Sequence, residues 1–515
     1  MQSLVSWGLA AGLALALGLT CVVSMAAAPA GAQTAPAVAL VVADNVPLRA
    51  APQASAASNS LLWRGEWLEV RGERGDHLQV WDHHRERGGY VHREQLHPLG
   101  TAAADAPGLY ALLAFVSEQP GAETLGLALA AAVVHALPAQ QLNGPMEASV
   151  LDAVGRLAER LGARASRGAG SSARAQNTLT AHLDIAARQG VRFHSVAAGE
   201  AVVLCYDGEA HRRLLAHAHA TPEQRARAAL ALTRPDCVAE PVRPAEREAL
   251  DRQRDDWLSQ VPADQLSPHW AARLQVRQAE VLSRLAFAAA RRGDAVAAQA
   301  AARLSLDALA AVQPAELGES GLAQLRAAAL RVNAVRWAAV PGAMEWPVGV
   351  PLRLENRPDG QTCVRLVETK AEKAARPDTA PERTLAERCT WGQVWPASAQ
   401  RNRERNAIVL AVQPLDGWRE LWVFRQTAQG WQVLVQPPAA LLPGVGHAEF
   451  AGWVPGGQSF LLAREAEAED RRIRRFEVVA LDTLTPSRTA LHADALGAFN
   501  RWADARWKRE SLALR

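Results

Sequence analysis

The sequence is short of a dominant charge. Lys and Arg total 56 against 53 for Asp and Glu, leaving +3 over 515 residues. That is too little to raise the field a nucleic-acid or anionic-membrane surface needs, so neither is an expected partner. Phe and Tyr are scarce, at 8 and 3, while Trp reaches 16. No two cysteines stand in a C-x-x-C spacing, which removes the commonest way of bringing two thiolates to one zinc ion. From Leu4 to about Ala30 there is no charged side chain at all.

That last absence is itself a signal. An apolar run ending in Ala30-Gly31-Ala32, followed by a Gln/Thr/Ala/Pro stretch, has the form of an export signal with a small-residue cleavage site. Residues 1–32 are read as a signal peptide, and the mature chain as extracytoplasmic, periplasmic in a Gram-negative bacterium. The basic residues that usually precede such a run are missing, and the run is long enough to span a bilayer. An uncleaved anchor is therefore the alternative, and only then is the membrane a partner. Beyond the run remain Cys205, Cys237, Cys363 and Cys389, an even set suited to an oxidising compartment. Three pairings are possible. The local pairs Cys205–Cys237 and Cys363–Cys389 would each staple a short loop within one module, worth about 2–4 kcal/mol apiece.

The length suggests about three domains. Three of the tryptophans lie between Trp63 and Trp81 and nine lie after residue 340. Aromatics favour pleated, half-buried surfaces, so strand-rich modules are expected at both ends with helices between. At residues 38–98, Ala39 to Val42, Trp67 to Arg71 and His77 to Trp81 read as strands, and Gly88-Gly89 precedes a further one at Tyr90-Val91-His92. Asp44-Asn45-Val46-Pro47-Leu48-Arg49-Ala50-Ala51-Pro52 resembles the "NVRxGPS" opening of bacterial SH3 (SH3b) domains. Gly65-Glu66-Trp67-Leu68-Glu69-Val70 is similar to their "KGxxVxV" strand, and Gly89-Tyr90-Val91-His92 to their "GWVH" closing strand. The resemblance implies an SH3-like β-barrel and recognition of peptide or cell wall, with Trp63, Trp67, Trp81 and Tyr90 as the candidate ligand-binding aromatics. His77-Leu78 stands where the family usually carries Gly-Trp-Tyr.

Residues 107–340 read as a helical domain. Leu125 to Leu137 is apolar but too short to cross a bilayer, so a buried core helix is expected. Arg167 to Gln176, rich in Gly, Ser, Arg and Ala, reads as a loop, and Glu200 to Tyr206 as a strand. Pro222 and Pro244 stand where helices begin. Pro268 to Leu309 reads as two antiparallel helices about Gly293-Asp294, similar to a tetratricopeptide-type hairpin, with Ala297, Ala301, Leu304 and Ala308 as the returning inner stripe. No second copy recurs at a fixed period.

Residues 345–490 return to strands, with turns at Asp416-Gly417 and Gly456-Gly457. Trp453-Val454-Pro455-Gly456-Gly457-Gln458-Ser459-Phe460-Leu461-Leu462, running on to Glu477–Asp482, resembles one blade of a TolB-type β-propeller. The length allows too few blades for closure, so an open, propeller-like, Trp-rich antiparallel module is expected. Residues 494–512 read as a helix in which Phe499 and Trp502 cap the sheet. The fold class is thus multidomain α and β.

Candidate chemistry fares poorly. His92-Arg93-Glu94-Gln95-Leu96-His97 has the wrong order for H-E-x-x-H. His211, His217 and His219 cluster beside Cys205 and Asp207, and read as solvated surface histidines rather than metal ligands. His83-His84 falls in a charged hairpin tip. Gly168-Ala169-Gly170-Ser171-Ser172 lacks the phosphate-loop layout, and Leu461 occupies the glycine position that a nucleophile elbow at Ser459 requires. The acidic run Glu465 to Asp470, followed by Arg471 to Arg475, reads as a solvated hairpin connection. No catalytic residue, metal or cofactor is expected. The reading is an exported, non-catalytic binding or scaffold protein whose partner is an envelope protein or peptidoglycan. The alternative is an envelope enzyme such as a peptidoglycan hydrolase.

Overall fold

The computed structural model describes residues 37–510, apart from 142, 169, 171, 199–200, 239–241, 369–381, 441 and 469–470. The segment read as a signal peptide lies outside them. The described chain is mixed α and β, with twelve helices and several largely antiparallel sheets, none closed.

The first sheet comprises β1 (Ala37–Val41), β2 (Val46–Arg49), β3 (Ser58–Leu62), β4 (Trp67–Arg74), β5 (His77–Asp82), β6 (Arg87–His92) and β7 (Leu96–Leu99). Its order is β3-β2-β6-β5-β4-β1-β7. Alternation drives the pleat: Leu68, Leu78, Val80 and Val91 point into one apolar core, while Trp67, Glu69, Gln79 and Trp81 take the opposite face. The polar β3 has no counterpart among the strands expected from the sequence.

The helical body contains α1 (Ala106–Ser117), α2 (Glu123–Ala136), α3 (Pro145–Arg167), α4 (Ala173–Arg188), α5 (Glu209–Ala216), α6 (Pro222–Leu232), α7 (Pro244–Ser259), α8 (Pro268–Arg291), α9 (Ala295–Ala311) and α10 (Glu319–Val335). A hairpin of β8 (Phe193–Ala198) and β9 (Ala201–Tyr206) interrupts it. The apolar α2 is buried over most of its surface, as its composition requires, and no described helix is long and apolar enough to cross a membrane. Pro opens α3, α6, α7 and α8, where its missing N–H costs nothing.

Two helical expectations need correction. The loop expected over 167–176 is shorter, because the Ser172 hydroxyl accepts from the Ala175 amide at 3.2 Å and caps α4. The inner stripe of α9 is Ala298, Ala302, Ser305 and Leu309, one residue later than expected, and Leu304 is 55% exposed. One residue turns a helix by about 100°. The rotation serves a third partner: α9 packs against Trp337 and Trp395 as well as against α8.

A three-stranded sheet, β10 (Leu352–Asn356), β11 (Thr362–Val367) and β12 (Thr384–Thr390), precedes a nine-stranded one. The larger sheet holds β13 (Gln393–Val394), β14 (Gln400–Arg401), β15 (Ala407–Leu415), β16 (Trp418–Thr427), β17 (Gly430–Gln436), β18 (Val445–Trp453), β19 (Ser459–Ala468), β20 (Arg471–Ala480) and β21 (Pro486–Ala490). Strands expected as separate blades share one hydrogen-bonded path. One step is parallel rather than antiparallel: β16 pairs with β18, placing Trp418 beside Gly446 and Arg419 beside His447.

The expected 494–512 helix is instead two short ones, α11 (Gly497–Trp502) and α12 (Ala505–Glu510), with 511–515 outside the described residues. The break occurs where the Asp504 amide donates to the Ala451 carbonyl of β18 at 2.7 Å. Phe499 stacks edge-on with Phe476 and Trp507, 5.5 and 5.4 Å away, while Trp502 is half-buried beside them.

Both disulfides are local. Cys205–Cys237 ties β9 to the loop after α6, and Cys363–Cys389 joins directly opposed residues of β11 and β12. Two such bonds suit an oxidising, extracytoplasmic compartment.

The helical body meets the large sheet through buried charge. Arg419, 0% exposed, donates to the Asn333 carbonyl of α10 at 2.6 Å and to Glu449 of β18 at 3.2 Å. Arg336, just after α10, binds the other oxygen of Glu449, and the Asn333 amide donates to His447 Nε2 at 2.6 Å. Burial, then the charges of Arg419 and Arg336, push His447 well below its ordinary pKa, so it is neutral and accepts. Glu449→Gln removes the carboxylate both guanidiniums share. It is expected to destabilise the protein by about 3–5 kcal/mol, read from the urea unfolding midpoint, with the body–sheet transition affected first.

Candidate functional site

The sequence-derived aromatics do not converge. Trp67 turns toward the helical body, packing edge-on against His135 of α2 at 6.0 Å. Trp63 lies half-buried in the turn between β3 and β4, its amide donating to Glu66 at 3.3 Å. Trp81 and Tyr90 lie on the sheet face turned away from its core, opposite Gly88 and Gln79, and neither joins a hydrophobic cluster. The Arg71 guanidinium covers the Trp81 ring at 4.4 Å, itself held by Glu69, which also takes His83 at 2.6 Å. Hydrogen bonds from Arg71 and His83 lower the Glu69 pKa. The most exposed tryptophan among the described residues, Trp391 at 60%, follows β12 and carried no sequence signal.

The turns after β1 and before β4 fix the first sheet to the body. Asp44 Oδ1 lies 2.8 Å from His182 Nε2, and Arg164 donates to the other ring nitrogen, so Nε2 carries the proton toward Asp44. Burial opposes ionisation of Asp44, but hydrogen bonds from His182 and the Arg64 amide, with the Arg64 charge, hold its pKa below the ordinary value. Gly65 makes the close approach: its φ is +95°, and a Cβ there would lie 2.6 Å from the Thr124 carbonyl of α2. Gly65→Ala is expected to cost about 1–3 kcal/mol in thermal denaturation. Gly75→Ala, with φ +58° but open space around it, should cost no more than about 1 kcal/mol.

The histidine cluster is not a solvated surface, as the sequence led us to expect. His211 is 1% exposed and His217 is buried too; only His219 reaches solvent. A Cβ at Gly155 of α3 would run into the His211 ring, so the glycine is what admits it. Neither ring nitrogen of His211 finds a hydrogen-bond partner among the described residues, and Glu159 stays 3.9 Å away. Burial, then the charges of Arg227 and Arg212, lower the His211 pKa to about 4. Burial likewise raises Glu159, and it pushes the Tyr206 hydroxyl, which accepts from the Ala210 amide, up to about 12.

The unfolded chain takes up a proton on this histidine near pH 6.5, whereas the folded chain refuses it until about pH 4. Stability therefore falls as pH drops through that window. Between pH 7 and 5 the wild type should lose about 2 kcal/mol more than His211→Gln, measured by denaturant unfolding at both pH values. Any contribution of His447 is common to both chains and cancels.

Among the described residues, the one group whose metal-ligating atoms lie close enough is Cys363, Glu387 and Cys389, and its two sulfurs are bonded to each other. Ser459 opens β19 opposite Ala480, an ordinary strand position. Glu465, in the run expected as a solvated connection, lies within β19 and pairs with Arg472 and Arg474 of β20, at 2.6 and 2.7 Å; residues 469–470 of that run lie outside the described residues. The space beside Arg419 and Glu449 is only about 10 Å³, room for one water at most.

Two larger clefts are lined by arginine. One, of about 750 Å³, lies between α7, α8 and the β15–β16 turn. There Asp416 takes Arg331 at 2.7 Å and faces Arg284 at 3.9 Å, while Glu248 binds Arg292. The other, of about 590 Å³, lies between α6, the loop after it and α8, with Arg227, Arg234, Arg273, Arg277 and Trp270 in its wall. Sequence reasoning passed over it, although Trp270, Arg273 and Arg277 share a helix face by spacing alone. No protein-family model, curated protein or solved structure matches the chain.

Proposed function

We propose that this chain is an exported, non-catalytic binding or scaffold protein of the bacterial envelope, working in the periplasm. In this reading the first sheet is an SH3b-like barrel that contacts peptidoglycan or an envelope protein. The three SH3b-like motifs occur in family order, and they coincide with β2, β4 and β6. The strands after residue 345 fit an open module that resembles propeller blades in sequence alone.

One observation supports the binding role above others. The sheet is anchored to the helical body through Trp67, Gly65, Asp44 and His182, while Trp81 and Tyr90, on the same outer face, belong to no hydrophobic cluster among the described residues. A rigidly held, half-buried aromatic pair beside an arginine is the composition binding surfaces favour. Arg71 over Trp81 offers a cation that a carboxylate-bearing peptide would meet as it reached the ring.

Co-sedimentation of the mature full-length chain with purified sacculi tests this. The wild type should be retained, and Trp81→Ala or Tyr90→Ala should weaken retention about tenfold. Trp391→Ala, distant in the fold, should leave it unchanged. Equal retention of all four chains would remove the sheet from the binding role. Clearing of peptidoglycan in a zymogram would favour the hydrolase instead.

A further inference from the structure

The clefts of this protein differ in how the arginines of their walls are balanced. In the 750 Å³ cleft Glu248, Asp251 and Asp416 share the wall with five arginines, and Arg284, Arg292 and Arg331 each face Glu248 or Asp416. The His211 ring packs directly against Gly155, where not even a Cβ would fit. The 590 Å³ cleft behaves differently. Its wall carries Arg227, Arg234, Arg273 and Arg277 against one carboxylate, Asp236.

The balancing acids stand behind three of these arginines, not in the cleft. Arg227 is taken by Asp152 of α3, Arg234 by Glu159 as well as by Asp236, and Arg277 by Glu280 at 3.5 Å. Arg277 also donates to the Thr233 carbonyl, which fixes its fork to the loop after α6. Arg273 has no carboxylate or carbonyl partner among the described residues. Its contact is the Trp270 ring, 4.8 Å away, and the same ring holds Arg227 at 5.2 Å. One indole therefore gathers two like charges at the mouth of a cavity. Partial burial and the nearby Arg227 pull the Arg273 pKa below its ordinary value, as expected where positive charge is crowded.

The wall is also rigid. Arg234 and Asp236 belong to a short loop that ends at Cys237, and the disulfide to Cys205 pins that loop to β9. Planar guanidinium forks held in fixed positions match the paired oxygens of a carboxylate or a phosphate. The volume is that of a small-molecule site. We propose that this cleft binds a small multivalent oxyanion, with Arg273 as the group that its charge completes. The site stands on other residues than the proposed sheet surface and does not depend on it.

Isothermal titration calorimetry on the mature full-length chain tests the proposal, with citrate in one arm and inorganic pyrophosphate in the other, at ionic strength held constant with sodium chloride. Saturable one-to-one binding in at least one arm is expected, and the tighter arm distinguishes carboxylate from phosphate. Arg273→Ala, at the exposed mouth, should weaken binding about tenfold, and Arg273→Lys should fall between it and wild type. Arg291→Ala, in the wall of the other cleft, should bind as wild type does. No saturable heat in either arm, or equal affinity for wild type and Arg273→Ala, would overturn it. So would a loss confined to Arg291→Ala.

Discussion

Glu449 holds this structure together as a unit. Its carboxylate lies between Arg336, which follows the last helix of the body, and Arg419, which begins a central strand of the large sheet. Moving these charges out of water costs several kcal/mol per ion, so the junction is stable only while all of its partners are in place. Shared burial of that kind favours one relative orientation of body and sheet, because a shifted docking would strand a guanidinium. The parallel step between β16 and β18 is the geometric condition for it. It sets Arg419 beside His447, two residues before Glu449, and α10 lies across both.

The same logic recurs at the other end of the chain, with smaller energies. Asp44, Arg64 and Glu66 of the first sheet meet His182 and Arg188 of α4. Asp44, Arg64 and Arg188 are partly exposed, so their attractions to the buried His182 and Glu66 are partly screened, and apolar contact carries more of the docking. Trp67 against His135, and Gly65 against the α2 backbone, supply it. A module whose sequence reads as self-standing is thus held by its neighbour, and one aromatic that its motif offers for binding is used for packing.

Legibility in the sequence followed the range of the interactions involved. Strands with apolar alternation, helices opened by Pro222, Pro244 and Pro268, and the glycine turns at Gly293, Gly417 and Gly456 depend on neighbours within a few residues, and they stand where the pattern puts them. The α9 stripe was misjudged by one residue because Trp337 and Trp395, distant in sequence, decide which face turns inward. His211 looked like a surface residue for a similar reason: its burial depends on the missing side chain of Gly155, some fifty residues earlier in the chain. Neither the parallel strand step nor the arginine wall has a local signature, since each assembles residues from separate elements. Within the wall, only the spacing of Trp270, Arg273 and Arg277 along α8 was there to be read.

The choice of cation explains how so much charge is tolerated inside the fold. Lys370, Lys373 and Lys508 are the chain's lysines, so arginine supplies nearly all of its positive charge. An ammonium is a strongly hydrated point charge, and burying it tends to strip its proton. A guanidinium keeps its proton, is more weakly hydrated, and spreads five donors over a plane that reaches a carboxylate, a carbonyl and an aromatic face together. Arg419 uses the first two, and Arg336 binds Glu449 while lying 4.6 Å from the Trp337 ring. The rarity of Phe and Tyr fits the same scheme. Indole presents the larger π-face to such cations, and Trp81, Trp270, Trp337, Trp422 and Trp502 each have a guanidinium over the ring. A chain with little net charge can therefore still concentrate positive charge locally, wherever the balancing carboxylates are placed on the far side of the arginines rather than in the cavity itself.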